Sequence, residues 1–214
     1  MSYEETLREC LIETCKAMSE AGLSRGTSGN VSVRLDSDTI LVSPTGLSYE
    51  SLRSEDIVAI GPNGVPGGKR KPSSEWRIHY DVLTARPEMG ALVHCHSPFA
   101  TVVACHRKRI PAFHYMVCAA GGPDIRCAPY ATFGTQKLSD YSVTALAGRK
   151  ACLMANHGQL ALGKDLQDAL SLAGEVENLA SMYWRSLAVG EPFLLDSEEV
   201  NAVLRKFVTY GQQD

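Results

Sequence analysis

The stretch Ala91-Leu-Val-His-Cys-His-Ser-Pro-Phe-Ala-Thr101 places two histidines at the end of an apolar, partly β-branched run. A proline and a glycine bound this run upstream, so the pattern is typical of a buried strand. Side chains two residues apart on a strand share a face. His94 and His96 are therefore expected to project together, with Cys95 on the opposite face. Two convergent imidazoles form half of a zinc site, although a lone His-x-His motif also fits hydrogen-bonded core histidines.

Two other segments can complete such a site. A second apolar strand is predicted over 150–157, and it ends in His157 followed by Gly158. A carboxylate, Glu75, directly follows Pro-Ser-Ser. Three imidazoles and one carboxylate suit Zn²⁺, with one position able to open for a substrate.

The elements around these segments predict one globular domain over residues 1–214. Strands joined mostly by hairpins, with helices between them, favour a single-domain αβα sandwich with a mixed, largely antiparallel sheet. Residues 111–135 are expected to be irregular. The periodicities predict helices over 3–21, 75–86, 98–107, 136–147, from 165 onward and over 197–209, and strands over 31–35, 39–43, 56–60 and 159–162.

Composition and charge exclude several classes of function. The formal net charge is −3 and the isoelectric point is near 6.1, which gives no electrostatic footprint for nucleic acid or an anionic membrane. No apolar stretch approaches the length of a membrane span, and the polar N-terminus does not resemble a signal peptide. The seven cysteines are scattered, as expected for reduced thiols. We therefore expect a soluble cytoplasmic protein.

Three short segments offer hydroxyls and backbone N–H groups to a phosphate. Glycines let a backbone approach an anion, and consecutive N–H groups form an anion-binding concavity. None of the segments matches a nucleotide P-loop or a Rossmann fingerprint, and each alone is compatible with an ordinary turn. Ser73 and Ser74 are predicted to cap a helix whose dipole favours negative charge, directly beside Glu75. The candidate residues are Thr27, Ser28, Gly29, Asn30, Thr45, Gly46, Ser73 and Ser74.

Taken together, these motifs resemble those of the class II, zinc-dependent sugar-phosphate aldolases, and most closely the fuculose-phosphate aldolase branch. The resemblance extends over essentially the whole chain. It is carried, in order, by Gly26-Thr-Ser-Gly-Asn30, Ser43-Pro-Thr-Gly46, Pro72-Ser-Ser-Glu-Trp-Arg77, His94-x-His96, His114-Tyr-Met116, Ala128-Pro-Tyr-Ala-Thr-Phe-Gly134 and Asn156-His-Gly158.

The resemblance implies a fold, a cofactor and a reaction. It implies one Zn²⁺ per subunit, or another divalent metal in its place, held by His94, His96, His157 and Glu75. It also implies an αβα homotetramer with sites at subunit interfaces. The implied reaction cleaves a ketose 1-phosphate, such as L-fuculose 1-phosphate or a related deoxyketose phosphate. The products are dihydroxyacetone phosphate and an aldehyde, formed through a zinc-stabilised enediolate.

The resemblance also implies roles for individual residues. Glu75 would act as general base and acid. Tyr115, from a neighbouring subunit, would serve the cleaved hydroxyl, while Phe133 and Tyr210 would line the aldehyde pocket. Phosphate would be held by Asn30, Thr45, Gly46, Ser73 and Ser74, with help from Thr27, Ser28 and Gly29.

Other functions remain open at this stage. The same residues could cleave 5-deoxy- or 5-methylthio-ribulose 1-phosphate. The scaffold could instead serve an epimerase, dehydratase or decarboxylase of a related sugar phosphate, or a non-catalytic metal-binding domain. His79, His106 and His114 carry no spacing argument and are interpreted as surface or core residues. No lysine interrupts an apolar run, so a Schiff-base mechanism is not indicated.

Overall fold

A nine-stranded sheet forms the centre of the molecule in the computed structural model, which describes residues 2–209. The strand order is β4-β3-β2-β1-β5-β9-β8-β7-β6. Neighbouring strands are antiparallel except for the parallel pair of β7 and β8, so the predicted mixed, largely antiparallel sheet is confirmed. The strands are β1 (Asn30–Arg34), β2 (Ile40–Val42), β3 (Val58–Ile60), β4 (Pro66–Gly67), β5 (Ala91–Cys95), β6 (Ile110–Pro111), β7 (Asp124–Ala128), β8 (Ala151–Met154) and β9 (Gly158–Gly163).

Helices cover both faces of the sheet. α1 and α5 pack on one face and α2 and α4 on the other. Each helix is within a few residues of its predicted bounds, and none in the described part of the chain is long and apolar enough to cross a bilayer. The helices are α1 (Tyr3–Glu20), α2 (Trp76–Ala85), α3 (Pro98–Cys105), α4 (Gln136–Ala145), α5 (Leu166–Ser186) and α6 (Ser197–Phe207).

Strand β5 is the central strand that positions the two histidines. Val93 and Cys95 pack into the core beneath α1 and α5, whereas Leu92 packs into the core beneath α2 and α4. His94 alternates with Val93 and Cys95, so it shares the face of Leu92 and points toward α2. The predicted alternation along this strand is therefore confirmed.

The expectation that residues 111–135 are irregular is wrong for residues 115–120 and 124–128. A short 3₁₀ helix spans Tyr115–Ala120, and β7 supplies the parallel partner of β8. β7 escapes a periodicity argument because it carries a charged residue, Arg126, in mid-strand. The guanidinium of Arg126 donates to the carbonyls of Ala145 and Ala147 at the end of α4, which compensates for its position in the sheet.

Candidate active site

The four predicted ligands meet at one point, although Glu75 and His157 are far apart in sequence. Their ligand atoms all lie within 4.8 Å of one another. The carboxylate of Glu75 places Oε2 3.2 Å from His94 Nε2 and Oε1 3.2 Å from His157 Nε2. The Nε2 atoms of His94 and His96 are 3.0 Å apart. The three ring centroids are separated by 4.8 to 4.9 Å.

Each ligand lies where a regular element ends. His94 is the penultimate residue of β5, and His96 directly follows that strand. His157 lies in the tight turn between β8 and β9, which Asn156 enters with a left-handed φ of 55°. Glu75 is the N-cap of α2. Rigid elements therefore bring side chains from three separate segments to one edge of the sheet.

The predicted capping of α2 by Ser73 or Ser74 is wrong. The helix begins one residue later than expected, with Glu75 at the N-cap and no side-chain cap. Ser73 Oγ instead accepts a hydrogen bond of 3.2 Å from the backbone N–H of Glu75. The segment turns before the helix starts because Ser73 N–H is used in a 3.0 Å bond to the Ser43 carbonyl.

The donor set fits a divalent cation. Glu75 Oε1 is buried and makes no hydrogen bond within the described residues, although His157 Nε2 is close to it. His94 Nδ1 lies 2.8 Å from the carbonyl oxygen of Gln159, which can only accept. That bond places the proton of a neutral His94 on Nδ1 and leaves the Nε2 lone pair facing the cluster. An unpartnered carboxylate oxygen and facing imidazole lone pairs are the arrangement that a metal ion satisfies.

The charge states of Glu75, His96 and His157 also suit a cation. Burial opposes ionisation of Glu75, but His94, His157 and Asn30 reverse that effect and hold the pKa of Glu75 well below its ordinary value. Burial lowers the pKa of His96 and of His157 to about 4. Burial acts in the same direction on His94, but the carboxylate of Glu75 and the carbonyl of Gln159 together outweigh it and raise the pKa of His94. Near neutral pH, His96 and His157 are therefore uncharged and able to ligate.

A cavity of about 380 Å³ adjoins the cluster. The polar part of its lining, here called the polar wall, carries hydroxyls, an amide and glycine backbone, and the lining also includes two aromatic rings. Of the predicted phosphate residues, all but Gly46 belong to the lining within the described residues. The lining residues are Thr27, Ser28, Gly29, Asn30, Pro44, Thr45, Ser73, Ser74, Glu75, His96, Tyr130, Ala131, Phe133, Asn156 and His157.

Backbone pairing brings the three polar segments together. An isolated bridge joins Pro44 to Pro72, so the turn containing Thr45 lies beside Ser73. Ser43 Oγ accepts a hydrogen bond from the backbone of Val31, which ties the same turn to β1. The polar wall is therefore built from segments that no local pattern connects.

Comparison with known proteins identifies the family. The model of the class II aldolase and adducin N-terminal domain matches residues 9–184. A 5-methylthioribulose-1-phosphate/5-deoxyribulose-1-phosphate aldolase of Rhodospirillum rubrum is 53% identical over 205 residues, which cover 96% of this chain and 92% of that protein. An L-fuculose phosphate aldolase of Escherichia coli is 48% identical over 202 residues, 94% of each chain. The solved structure of an L-fuculose 1-phosphate aldolase has a TM-score of 0.92 and 38% identity, with 97% of this chain and 98% of that chain covered.

The chain belongs to the class II aldolase family. The resemblance inferred from the motifs is thereby confirmed, and with it the assignment of this class II aldolase to the lyases.

Of the three aromatic residues with predicted roles, two lie in the described part of this class II aldolase. Tyr115 begins the 3₁₀ helix and is 52% exposed, and it is not part of the cavity lining formed by the described residues. Tyr210 lies outside the described residues. Phe133 lines the cavity and is 65% exposed. The role of each of these residues stays a prediction.

Sequence reasoning missed three residues around the site. Tyr130 and Asn156 line the cavity, although their motifs were quoted only for the resemblance. His79 is fully buried in α2 and contacts Asn30 and Ser32. Its spacing of four from Glu75 was a usable signal, because residues four apart share a helix face.

Proposed function

We propose that this class II aldolase cleaves a ketose 1-phosphate to dihydroxyacetone phosphate and an aldehyde. The observation that carries the proposal is the three-histidine, one-glutamate cluster beside a cavity lined by hydroxyl, amide and glycine groups. The similar proteins from Rhodospirillum rubrum and Escherichia coli are named for 5-methylthioribulose 1-phosphate, 5-deoxyribulose 1-phosphate and L-fuculose phosphate. All are deoxyketose phosphates, and we assign this substrate class to the chain.

Zn²⁺ is the proposed cofactor, held by His94, His96, His157 and Glu75. When bound, it supplies Lewis acidity that stabilises the negative charge left on the ketose fragment as the carbon–carbon bond breaks. The predominance of imidazole nitrogen over carboxylate oxygen in the cluster supports zinc rather than magnesium or calcium. Gln159 supports the site by fixing the ring of His94 through its carbonyl.

Glu75 is proposed as the proton carrier. Its side chain is buried and ionised, and Oε2 accepts a 3.2 Å hydrogen bond from Asn30 Nδ2. A carboxylate that lies at the cavity wall is placed to take a proton from a substrate hydroxyl and to return it to the fragment.

The phosphate group is assigned to the polar wall. Asn30, Thr45, Ser73 and Ser74 line it, and Gly46 follows Thr45 with a left-handed φ of 72°. The loop Thr27-Ser28-Gly29 also lines the cavity, and Gly29 has a left-handed φ of 83°. Hydroxyl and backbone donors bind phosphate without a fixed positive charge.

The aldehyde end of the site is proposed to be completed by a second subunit. Phe133 lines the cavity from this chain, while Tyr115 faces solvent outside the lining. We propose a homotetramer in which Tyr115 of one subunit, with Tyr210, enters the site of its neighbour. The seven free cysteines support a reducing, cytoplasmic setting.

The decisive experiment incubates zinc-replete protein with L-fuculose 1-phosphate, 5-deoxyribulose 1-phosphate and 5-methylthioribulose 1-phosphate in turn. Dihydroxyacetone phosphate is measured by coupling to its NADH-dependent reduction. We expect release from at least one substrate, loss with a chelator and recovery with added zinc. Glu75→Gln should lower turnover on the order of 10²–10⁴-fold. Glu9→Gln, at an exposed position of α1, is the matched control and should leave turnover unchanged.

Product analysis by NMR separates the alternatives. An epimer, a dehydrated product or a decarboxylated product in place of dihydroxyacetone phosphate would replace the aldolase with another activity on the same scaffold. A protein that binds zinc but changes none of the substrates would instead support a non-catalytic metal-binding domain.

A further inference from the structure

A buried histidine outside the metal cluster contacts the polar wall of the cavity. His79 lies in α2, four residues after Glu75, and has no solvent exposure. Its Nδ1 is 2.7 Å from Ser32 Oγ, and its Nε2 makes a short contact with Asn30 Oδ1. Asn30 and Ser32 alternate on β1, so both point toward the same helix face.

The chemistry of these partners fixes where the protons lie. An amide oxygen only accepts hydrogen bonds, so His79 Nε2 must carry the proton that joins it to Asn30 Oδ1. Burial lowers the pKa of His79 to about 3, so the ring is neutral and Nδ1 bears a lone pair. The hydroxyl of Ser32 must then donate to Nδ1. The chain of donors therefore runs from Ser32 through His79 to Asn30.

The chain of hydrogen bonds continues in the same direction from Asn30 to Glu75. Asn30 Nδ2 donates to Glu75 Oε2 at 3.2 Å. If the amide were reversed, its oxygen would face a carboxylate oxygen, and neither atom could donate. The carboxylate of Glu75 therefore selects the orientation with the Asn30 NH₂ group toward Glu75. The Nε2–H of His79 holds that orientation from the other side, because it donates to the Asn30 oxygen.

We propose that His79 is a positioning residue that orients the Asn30 amide for anion binding in the cavity. The NH₂ group carries two hydrogens, and the hydrogen bond to Glu75 uses one. Asn30 also lines the cavity, so the second hydrogen is left for a substrate oxygen. The inference deepens the proposed function and rests on it for the identity of the anion, a sugar phosphate.

The test compares two substitutions of His79 in zinc-replete protein. His79→Gln retains an N–H donor near the position of Nε2, whereas His79→Leu retains none. Inorganic phosphate is the probe, measured by calorimetry and as a competitive inhibitor of cleavage. We expect His79→Leu to weaken phosphate binding and raise the KM on the order of tenfold, with a smaller change in kcat. His79→Gln should recover most of both losses.

A double-mutant cycle separates positioning from general structural support. In an Asn30→Ala background the amide is gone, so His79→Leu should have little further effect on phosphate affinity. Full additivity of the two substitutions would overturn the proposal. So would equal losses in the Gln and Leu variants when both retain the wild-type thermal unfolding midpoint.

A further measurement uses the wild-type enzyme, so its result does not depend on whether a variant folds. Nitrogen NMR of histidine-labelled protein should show His79 as a neutral ring with its proton on Nε2. A proton on Nδ1, or a charged ring at neutral pH, would overturn the proposal without any variant. If no ketose phosphate is cleaved, the proposed function fails on its own, and the inference is judged by phosphate affinity and by the ring's protonation.

Discussion

Gly158 is the position at which a single added methyl group should damage the metal site most directly. It begins β9 and follows His157. A Cβ built there would lie 2.9 Å from His96 Cδ2 and far inside contact distance of the Cys95 carbonyl oxygen. Its φ lies outside the left-handed region, so the penalty of Gly158→Ala is steric. The carbonyl cannot yield, because Cys95 is paired with Gln159 in the sheet.

The expected losses of stability and of zinc affinity follow from these two contacts of the added Cβ. The His96 ring must retreat by about 0.5 Å to reach the 3.4 Å of ordinary van der Waals contact. Overpacking of this kind costs about 1–3 kcal/mol of the free energy of unfolding, and the Cys95 carbonyl, which cannot move away, places Gly158→Ala at the upper end of that range. Displacement of a ligand ring should lower zinc affinity by about 10–100-fold, as when a group that orients a ligand is lost. Gly174→Ala is the matched control, since nothing lies within 4 Å of its added Cβ and it is helical. It should raise stability by about 0.5–1 kcal/mol.

Two assays decide the matter. Zinc affinity is measured by competition with a fluorescent chelator, and stability by urea unfolding of metal-free protein at a fixed protein concentration. A Gly158→Ala variant that binds zinc as tightly as the wild type would refute the reasoning. So would equal stabilities of the two alanine variants.

Three further predictions concern pH, metal and assembly. The folded pKa of His79 is about 3 against 6.5 for the free side chain, so its stability contribution is fully present above pH 6.5 and is lost as the pH falls toward 3. Between pH 6 and pH 5, the free energy of unfolding of metal-free wild type, measured in urea, should fall by about 1 kcal/mol more than that of His79→Gln. Equal losses in the two proteins would contradict this. Zinc at about 1,000 times its dissociation constant should stabilise the wild type by about 4 kcal/mol in thermal unfolding. The His94→Ala variant should gain clearly less stability. An equal gain in that variant would place the metal elsewhere. If Tyr115 acts in a neighbouring subunit, inactive Glu75→Gln and Tyr115→Phe chains can complement each other when they are unfolded and reassembled together in equal amounts. About a quarter of the wild-type activity should return, because about a quarter of the sites then combine an intact Glu75 with an intact Tyr115. No recovery would place both residues in the site of one subunit.

Local patterns were sufficient for the helices and most of the longer strands, but not for the arrangement of the elements. The helix bounds, the hairpin of β1 and β2 and the alternation along β5 follow from periodicities of a few residues. β7 was missed because Arg126 interrupts its apolar pattern, and its acceptors belong to the end of α4. The N-cap of α2 was also predicted wrongly because of a contact between residues distant in sequence. The N–H of Ser73 donates to the carbonyl of Ser43, thirty residues earlier in the chain.

The sequence by itself determined which residue types form the proposed metal centre. It also determined the sheet face that His94 occupies, because successive side chains of a strand point to opposite faces. It also carried enough motifs to indicate the family. Only the tertiary structure decided that Glu75 meets His157 and that Asn30 lies between Glu75 and His79. It also decided that Tyr115 is not part of the cavity lining formed by residues 2–209. These relations depend on contacts between residues distant in sequence, such as the pairing of Asn30 with His94 across β1 and β5. The pairing of strands is set by burial of the whole sheet between its helices, and no short window of sequence contains that information.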